Sequence, residues 1–228
     1  MRQIDKSLAE LKNSLFRRLD IGSLFSRNKV AHKWKAPFWS LSLRELSAWR
    51  TQDLLEQSLA LFDANHLLGA RILLRSAFET VAVLIYLNQL TRKVLSGALD
   101  FYDFSAKTAT LFLGSRDEST SYNSLNIITI LEKCDSRYSG IMDLYAKLSE
   151  SAHPNYWGMA VGYSAIDREN YVVTYTNRWQ EMYSQQHLQA AELCISVFLD
   201  EYNREWPDAF EELETWIEAN DAKLKTAA

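Results

Sequence analysis

Arg71, Arg75 and Glu79 are the only charged residues between Leu67 and Leu90. They are spaced four residues apart, so in a helix they form one stripe on an otherwise apolar surface. A helix that is apolar nearly all round must be buried. Because an unpaired buried charge is costly, each of these side chains needs a partner. The stretch therefore predicts either a structural ion network or an anion-binding site.

The stripe leaves one arginine without a local counter-charge. Arg75 and Glu79 stand at i and i+4 and can neutralise each other, which leaves Arg71 without a carboxylate of its own helix. Arg71 therefore needs an anion from elsewhere, either a carboxylate of another helix or a phosphate. The sequence does not choose among the acidic residues that lie on suitable helices, which are Glu132, Asp143 and Glu150.

The segment SESAHPNYWG, residues 149–158, carries a second group of polar residues. Pro154 forces His153 out of the α region, so His153 lies at the C-terminal edge of a helix, with Ser149 one turn before it. A single histidine at a helix end can simply cap or pack. The aromatic residues and glycines that follow also fit the wall of a pocket. The predicted ligand-binding or core polar network is Arg71, Arg75, Glu79, Ser149 and His153.

Arg27 and His32, in RNKVAH, form an arginine–histidine pair near the N-terminus. Histidine can act as general acid or base on a ribose 2′-hydroxyl, and arginine can hold the scissile phosphate without a metal. Lysines and aromatic residues nearby could attract phosphate and stack bases. So short a pattern also arises by chance or as plain surface charge. The pair therefore predicts either a ribonuclease site or a solvated basic surface.

Two stretches of the chain resemble a known group of proteins. ARILLRSAFETVAVLIYL (70–87) and LYAKLSESAHPNYWG (144–158) resemble bacterial helical proteins of the DUF5677 type, which combine a buried Arg/Glu-bearing helix with a later Ser/His-Pro element. Residues 42–205 also resemble the HEPN-like helical bundles of defence and toxin systems, and Arg27 with His32 matches the R-x4-6-H pattern of HEPN-type ribonucleases. The resemblance implies an all-α bundle that is either a ribonuclease or an inactive dimerisation or RNA-binding module. The family usually places its motif late in the bundle, whereas this pair comes early.

Two functional hypotheses follow. The first is a non-catalytic, homodimeric HEPN-like protein that binds a ligand, RNA or protein partner in bacterial defence, with Arg71 and His153 in one pocket. The second is a metal-independent HEPN-like endoribonuclease, a toxin or antiphage effector whose catalytic residues are Arg27 and His32. No cofactor or metal is expected, because phosphate-loop, dinucleotide, serine-hydrolase and zinc-protease motifs are absent.

The composition favours long helices. The 228 residues include only seven Gly and three Pro, and 47% are apolar, which is enough for a sizeable core. Helical spacing dominates, and apolar alternation flanks Asp167–Asn170. The predicted fold is an all-α bundle of about eight helices with one small β-hairpin near 159–176. The predicted division is an N-terminal amphipathic helix and basic-aromatic linker over 1–41, followed by the bundle over 42–228.

Local patterns predict where the helices begin. Pro37 predicts an irregular segment over 22–41, and the capping-box spacing of Ser42 and Glu45 predicts a helix over about 43–63 with Leu46 and Trp49 facing inward. Asn65 is the predicted N-cap of the central helix. The remaining predicted helices cover 2–19, 66–90, 92–113, 124–137, 141–151, 178–203 and, beginning at Pro207, 207–224.

Charge is distributed unevenly along a chain whose net charge is -4. Eight Lys/Arg lie in 17–50 and nine Asp/Glu in 200–221. These runs predict either two solvated faces or a basic surface that contacts phosphate or an acidic partner. The charged N-terminus does not resemble a signal peptide, and the longest charge-free run of the central helix, 80–91, is shorter than the ~20 residues that a membrane span needs. We therefore expect a cytoplasmic protein, with no membrane partner and with Cys134 and Cys194 reduced.

Overall fold

The long helix around Arg71 lies at the centre of the fold. A computed structural model describes residues 2–117 and 119–226, and within them the protein is an all-α bundle with one small antiparallel hairpin, as predicted. The helices are α1 (Gln3–Ser14), α2 (Ile21–Arg27), α3 (Lys35–Asp63), α4 (Leu67–Leu95), α5 (Phe101–Leu113), α6 (Ile127–Asp135), α7 (Ile141–Ala152), α8 (Trp179–Asp200) and α9 (Trp206–Thr226). Helix α4 packs against α3, α5, α6, α7, α8 and α9, which explains its apolar circumference.

Helix α3 begins earlier than predicted. It starts at Lys35, so Pro37 lies in its first turn, where the backbone N–H groups have no acceptor within the helix and a proline is tolerated. The predicted start at residue 43 is therefore wrong, and the predicted division at 41/42 falls inside α3. Small side chains such as Ser47, Ala48 and Thr51 occupy part of the inward face of α3, beside buried leucines, and let α3 and α4 pack closely. Leu46 and Trp49, predicted to face inward, are 56% and 40% exposed.

Both ends of α4 differ from the predicted ends, and a turn residue determines each. Asn65 is not the N-cap; it adopts a left-handed conformation with φ 61, which asparagine tolerates, and His66 is the N-cap. At the other end α4 continues to Leu95, and Gly97 at φ 73 reverses the chain. Asp100 then caps α5 by accepting hydrogen bonds from the next turn. The single helix predicted over 92–113 is therefore two helices.

Helices α8 and α9 are joined without a break. Two separate helices, 178–203 and 207–224, are predicted here, but a π-helical turn, Glu201–Glu205, connects α8 directly to α9. A second π-helical turn, Tyr156–Val161, follows α7. A π-helical turn is wider than an α-helical one and occurs frequently at functional sites. The chain thus reaches Pro207 in the first turn of α9 with helical structure on both sides.

The predicted hairpin is present and projects from the bundle. Strands β1 (Ser164–Asp167) and β2 (Val172–Tyr175) pair antiparallel, with Ser164 opposite Tyr175 and Asp167 opposite Val172. The Asp167 carboxylate accepts hydrogen bonds from the backbone of the turn, which fixes the reversal. Trp157 comes before the hairpin and Trp179 begins the helix after it, so both ends of the hairpin are attached to the same part of the bundle.

Candidate functional site

The guanidinium of Arg71 is buried between α4 and α7. Arg71 is 4% exposed. Its Nε donates to Ser151 Oγ at 2.8 Å, and its Nη2 donates to the Lys147 carbonyl at 3.1 Å. Among the residues that the structure describes, no Asp or Glu forms an ion pair with it. Arg71 is therefore a buried cation held by neutral acceptors only.

The remaining hydrogen-bonding capacity of Arg71 suits an anion. Arginine has five N–H donors, two of which are used, so three remain, divided between Nη1 and Nη2. The guanidinium lies over the Tyr183 ring, 4.5 Å from its centroid, which fixes its plane. Burial lowers the pKa of Arg71 to about 10, because water no longer stabilises its charge. A carboxylate or phosphate that met the three free donors would restore that stabilisation.

A cavity of about 630 Å³ opens beside Arg71. This volume lies in the range of small-molecule sites. Most of its wall is apolar or aromatic, with two glutamine amides and two further charges near the α7 side. Besides Arg71, the lining residues are Leu144, Lys147, Glu150, Ser151, Trp157, Trp179, Tyr183, Gln186, Gln189, Ala190 and Leu193. The cavity thus combines an apolar body with one buried cation.

Two glycines hold the tryptophan wall in place. A Cβ at Gly158 would stand 1.9 Å from the His153 carbonyl oxygen, and one at Gly162 would stand 2.5 Å from the Trp179 ring. Neither position has room for a side chain, because backbone or ring atoms occupy the space. The π-helical turn therefore lies directly against α7 and α8, with Trp157 on the cavity wall.

The second arginine of the stripe has the local partner that its spacing predicts. Arg75 Nη2 lies 3.2 Å from Glu79 Oε1 and also donates to the Tyr145 hydroxyl, while its Nε donates to Ser149 Oγ at 2.8 Å. Tyr145 donates in turn to Glu79, and burial beside this carboxylate raises the pKa of the phenol. Ser149 thus accepts a hydrogen bond from Arg75, whereas Ser151, which was not among the predicted site residues, accepts one from Arg71. The two arginines have different environments although they stand one turn apart.

The acidic candidates for Arg71 do not reach it. Glu132 and Asp143 are exposed on α6 and α7 and do not line the cavity. Glu150 does line it, but its carboxylate accepts from Asn155 Nδ2 at 2.6 Å and does not pair with Arg71. Arg71 therefore has no carboxylate partner within the described chain.

His153 ends α7, as Pro154 predicts, but its side chain does not join the Arg71 site. It is exposed and is absent from the residues that line the cavity. A different histidine, His187 of α8, lies in the interior near Arg71. Its Nε2 is 3.3 Å from Ser58 Oγ and its ring stacks on Phe62. Nothing in the local pattern around residue 187 separates it from an ordinary core position.

Replacing His187 with glutamine is expected to reduce the acid sensitivity of the protein. Burial, with the nearby charges of Arg71 and Arg2, lowers the pKa of His187 from 6.5 to about 4. The unfolded chain therefore binds more protons between these pH values, so the stability that neutral His187 preserves above pH 6.5 is lost as the pH falls towards 4. The loss should reach about 2–3 kcal/mol near pH 4.

Urea unfolding of wild type and His187→Gln at pH 7, 5.5 and 4.5 measures this contribution. The exposed His153→Gln variant serves as the control and should follow the wild type. Because carboxylates titrate equally in all three proteins, the difference between variants isolates one histidine. Equal losses in wild type and His187→Gln would show that His187 does not set the pH dependence.

Arg27 and His32 converge, but on a carboxylate of the same chain. Arg27 Nε donates to Glu214 Oε2 at 2.8 Å, and His32 Nε2 lies 2.6 Å from Glu214 Oε1. The His32 and Glu214 side chains are 2% and 6% exposed. This part of the chain was predicted to be irregular, yet it contains α2 and a 3-10 turn, Ala31–Lys33.

The basic N-terminal region and the acidic C-terminal helix meet through these contacts. Asn28 donates to Glu218 and Trp34 donates to Asp221, so α9 presents acidic side chains at positions 214, 218 and 221 to the segment around the 3-10 turn. The acidic partner that the basic run predicted is thus, for these residues, the protein's own α9. Other basic residues of the run, such as Lys29 and Lys35, remain at the surface.

A second buried polar network, which sequence reasoning missed, lies at the other end of α4. Glu201 is 0% exposed; it accepts from Asn88 Nδ2 at 2.7 Å, from Arg137 Nε at 2.6 Å and from the Tyr138 hydroxyl at 2.7 Å. Glu205, one π-helical turn later, bonds Arg92 and Arg137. The Glu201 carboxylate is satisfied by three donors, although the Asn88 Oδ1 itself is buried without a hydrogen-bond partner, so we interpret the network as structural. Pairing over 113 residues cannot be found from local spacing.

The described residues offer little for metal or thiol chemistry. They contain no group of three or more His, Cys, Asp or Glu side chains placed to hold a metal ion. Cys134 and Cys194 are free and buried, and burial raises the pKa of both thiols, that of Cys134 to about 12. Over the same residues, no helix has the length and apolar character to cross a membrane.

Comparison with known proteins gives no match: no family model, no curated protein and no solved structure is similar to the chain. The resemblance to DUF5677-type and HEPN-like proteins therefore stays a prediction.

Proposed function

We propose that this protein is a non-catalytic helical binding protein whose Arg71 cavity takes a small organic anion with an apolar body. A guanidinium that is 4% exposed, with neutral acceptors only, stands at the wall of an apolar cavity of about 630 Å³. An arginine buried without a counter-ion is costly, and a ligand carboxylate or phosphate would offset that cost.

The charges of the cavity favour a ligand with few negative charges. Arg71 is the one buried cation among the lining residues, and Lys147 and Glu150, both exposed, carry opposite charges. A polyphosphate needs several cations together, whereas one arginine fork matches one carboxylate. The rings of Trp157, Trp179 and Tyr183 would cover the apolar body of such a ligand.

A binding role also fits the hydroxyl groups of the site. Ser151 Oγ accepts from Arg71, and the lining residues include no histidine or cysteine. The wall therefore lacks a nucleophile activated by an adjacent base, which covalent catalysis requires. The cavity can bind and orient a ligand without reacting with it.

Calorimetric titration with 3-phenylpropionate and with octanoate tests the proposal. Both probes are monocarboxylates with apolar bodies, and Arg71→Met should weaken their binding at least tenfold, since a charge-assisted bidentate contact is lost. Arg50→Met is the matched control, because Arg50 lies on α3 outside this cavity. If neither probe binds, or if Arg71→Met binds them as the wild type does, the cavity is not an anion site.

The alternative, a metal-independent HEPN-like endoribonuclease, has less support. Glu214 occupies the Arg27 and His32 side chains, and the His32 side chain is 2% exposed, so an RNA phosphate would have to displace a buried carboxylate. No contact of these residues favours RNA over Glu214. The homodimer, the RNA or protein partner and the role in bacterial defence stay predictions.

A further inference from the structure

Glu150 is a carboxylate without a cationic partner on the wall of the same cavity. It stands in the last turn of α7, next to Ser151, which holds Arg71. Its Oε2 accepts from the neutral amide of Asn155 at 2.6 Å, and no Lys, Arg or His of the described chain forms an ion pair with it. The cavity wall therefore carries an exposed carboxylate without an ion-pair partner in addition to the buried cation of Arg71.

Asn155 ties this carboxylate to Trp157. While its Nδ2 donates to Glu150, its Oδ1 accepts from the backbone N–H of Gly158 at 2.9 Å, in the π-helical turn that contains Trp157. One side chain thus holds the carboxylate and the tryptophan-bearing turn in a fixed relation. Both Glu150 and Trp157 line the cavity, and Trp157 is 48% exposed.

A carboxylate beside an exposed aromatic face is a suitable site for an organic ammonium group. The carboxylate supplies the counter-charge, and the indole face attracts a cation through its quadrupole. Lys147 and Glu150 are both exposed, so water weakens the repulsion from Lys147 and the attraction of Glu150 alike, and the Trp157 face adds the attraction that favours a cation. The α7 side of the cavity is therefore complementary to a cation, whereas Arg71 is complementary to an anion.

We infer that the ligand of this cavity is a zwitterion of the amino-acid type, with its carboxylate on Arg71, its apolar side chain among the aromatic rings and its ammonium group on Glu150 and Trp157. The inference rests on the proposed function, since it requires that Arg71 bind the carboxylate. It adds the second charge of the ligand and two residues that recognise it. It also excludes simple fatty or aryl acids as the preferred ligands.

Three probes that share one phenyl ring separate the two charges. Phenylalanine carries both groups, 3-phenylpropionate only the carboxylate and 2-phenylethylamine only the ammonium. Calorimetry should rank phenylalanine about five- to tenfold tighter than 3-phenylpropionate, since a partly exposed ion pair and a cation–π contact each contribute modestly. 2-Phenylethylamine should bind most weakly, because it leaves Arg71 without an anion.

Glu150→Gln is the decisive variant, because it is nearly isosteric and removes only the charge. It should abolish the preference for phenylalanine, and it should not weaken the binding of 3-phenylpropionate, because the lost charge is negative and can only repel that ligand's carboxylate. If the wild type binds phenylalanine no tighter than 3-phenylpropionate, or if Glu150→Gln keeps the preference, the ligand is not a zwitterion and the anion site stands. If neither carboxylate binds, the proposed function and this inference fail together.

Discussion

Arg71→Met should make the protein without added ligand more stable, raising the free energy of unfolding by about 1–3 kcal/mol. Burial lowers the pKa of Arg71 to about 10, well below the ordinary pKa of an arginine in the unfolded chain. Burying this charge therefore lowers the free energy of unfolding at every pH below about 10, and this cost is relieved only as the pH rises above 10 towards the ordinary pKa of arginine. Methionine removes the charge and keeps an unbranched apolar side chain in the same space.

The loss of the two hydrogen bonds of Arg71 should cost little stability. The Lys147 carbonyl lies inside α7, so it still accepts a backbone hydrogen bond of the helix when Arg71 is absent. The Ser151 hydroxyl can donate to the same carbonyl, which is 3.4 Å away. The Tyr183 ring would pack against the methionine sulfur in place of the guanidinium. The polar atoms that bonded Arg71 therefore keep hydrogen-bond partners. The change in the free energy of unfolding is then set by the removal of the buried charge, which is favourable.

Urea unfolding at pH 7 measures this effect, and Arg75→Met is the matched control. Arg75 stands one turn further along α4 and bonds Glu79, Tyr145 and Ser149. Its loss leaves Glu79 without a cation, so Arg75→Met should destabilise the protein. A gain of stability in Arg71→Met and a loss in Arg75→Met would indicate that Arg71 has a binding role rather than a structural one. A loss of stability in Arg71→Met equal to that in Arg75→Met would make Arg71 a structural residue.

The sequence identified the arginine of this site because the relevant information is local. The i, i+4 spacing of Arg75 and Glu79 pairs them within one helix, and Arg71 is left over whatever the rest of the fold does. The partners of Arg71 could not be found in the same way. Whether Ser149 or Ser151 faces it depends on the rotation of α7 against α4, which is set by packing.

The errors in the fold have the same origin. Proline was taken to exclude a helix through Pro37, but a proline in the first turn removes no helical hydrogen bond. Leu46 and Trp49 were assigned to the core by hydrophobicity alone. The closely packed face of α3 instead carries small residues, since helices that approach closely exclude large side chains. The buried face of such a helix is set by its partner, which the sequence of α3 does not contain.

Arg137→Met should destabilise the protein by about 3 kcal/mol, the cost of leaving a buried carboxylate without its counter-ion. Glu201 is 0% exposed and receives its one short contact with a cation from Arg137 Nε at 2.6 Å. Asn88 and Tyr138 would remain as neutral donors, which stabilise a carboxylate less than a charged one does. Glu201 would then have to be protonated or hydrated, and both alternatives cost stability at neutral pH.

Chemical denaturation of a double-mutant cycle separates the charge from the packing. Adding Glu201→Gln to Arg137→Met removes the unpaired charge, so the double variant should recover most of the loss. Arg204→Met is the control, because Arg204 is 71% exposed and its ion pair with Asp200 should contribute less than about 1 kcal/mol. If Arg137→Met costs no more than Arg204→Met, water reaches Glu201 and the network is not a buried one. A large loss with recovery would mean that the cost comes from the buried, unpaired charge of Glu201, and that the ion pair itself adds little net stability to the turn between α8 and α9.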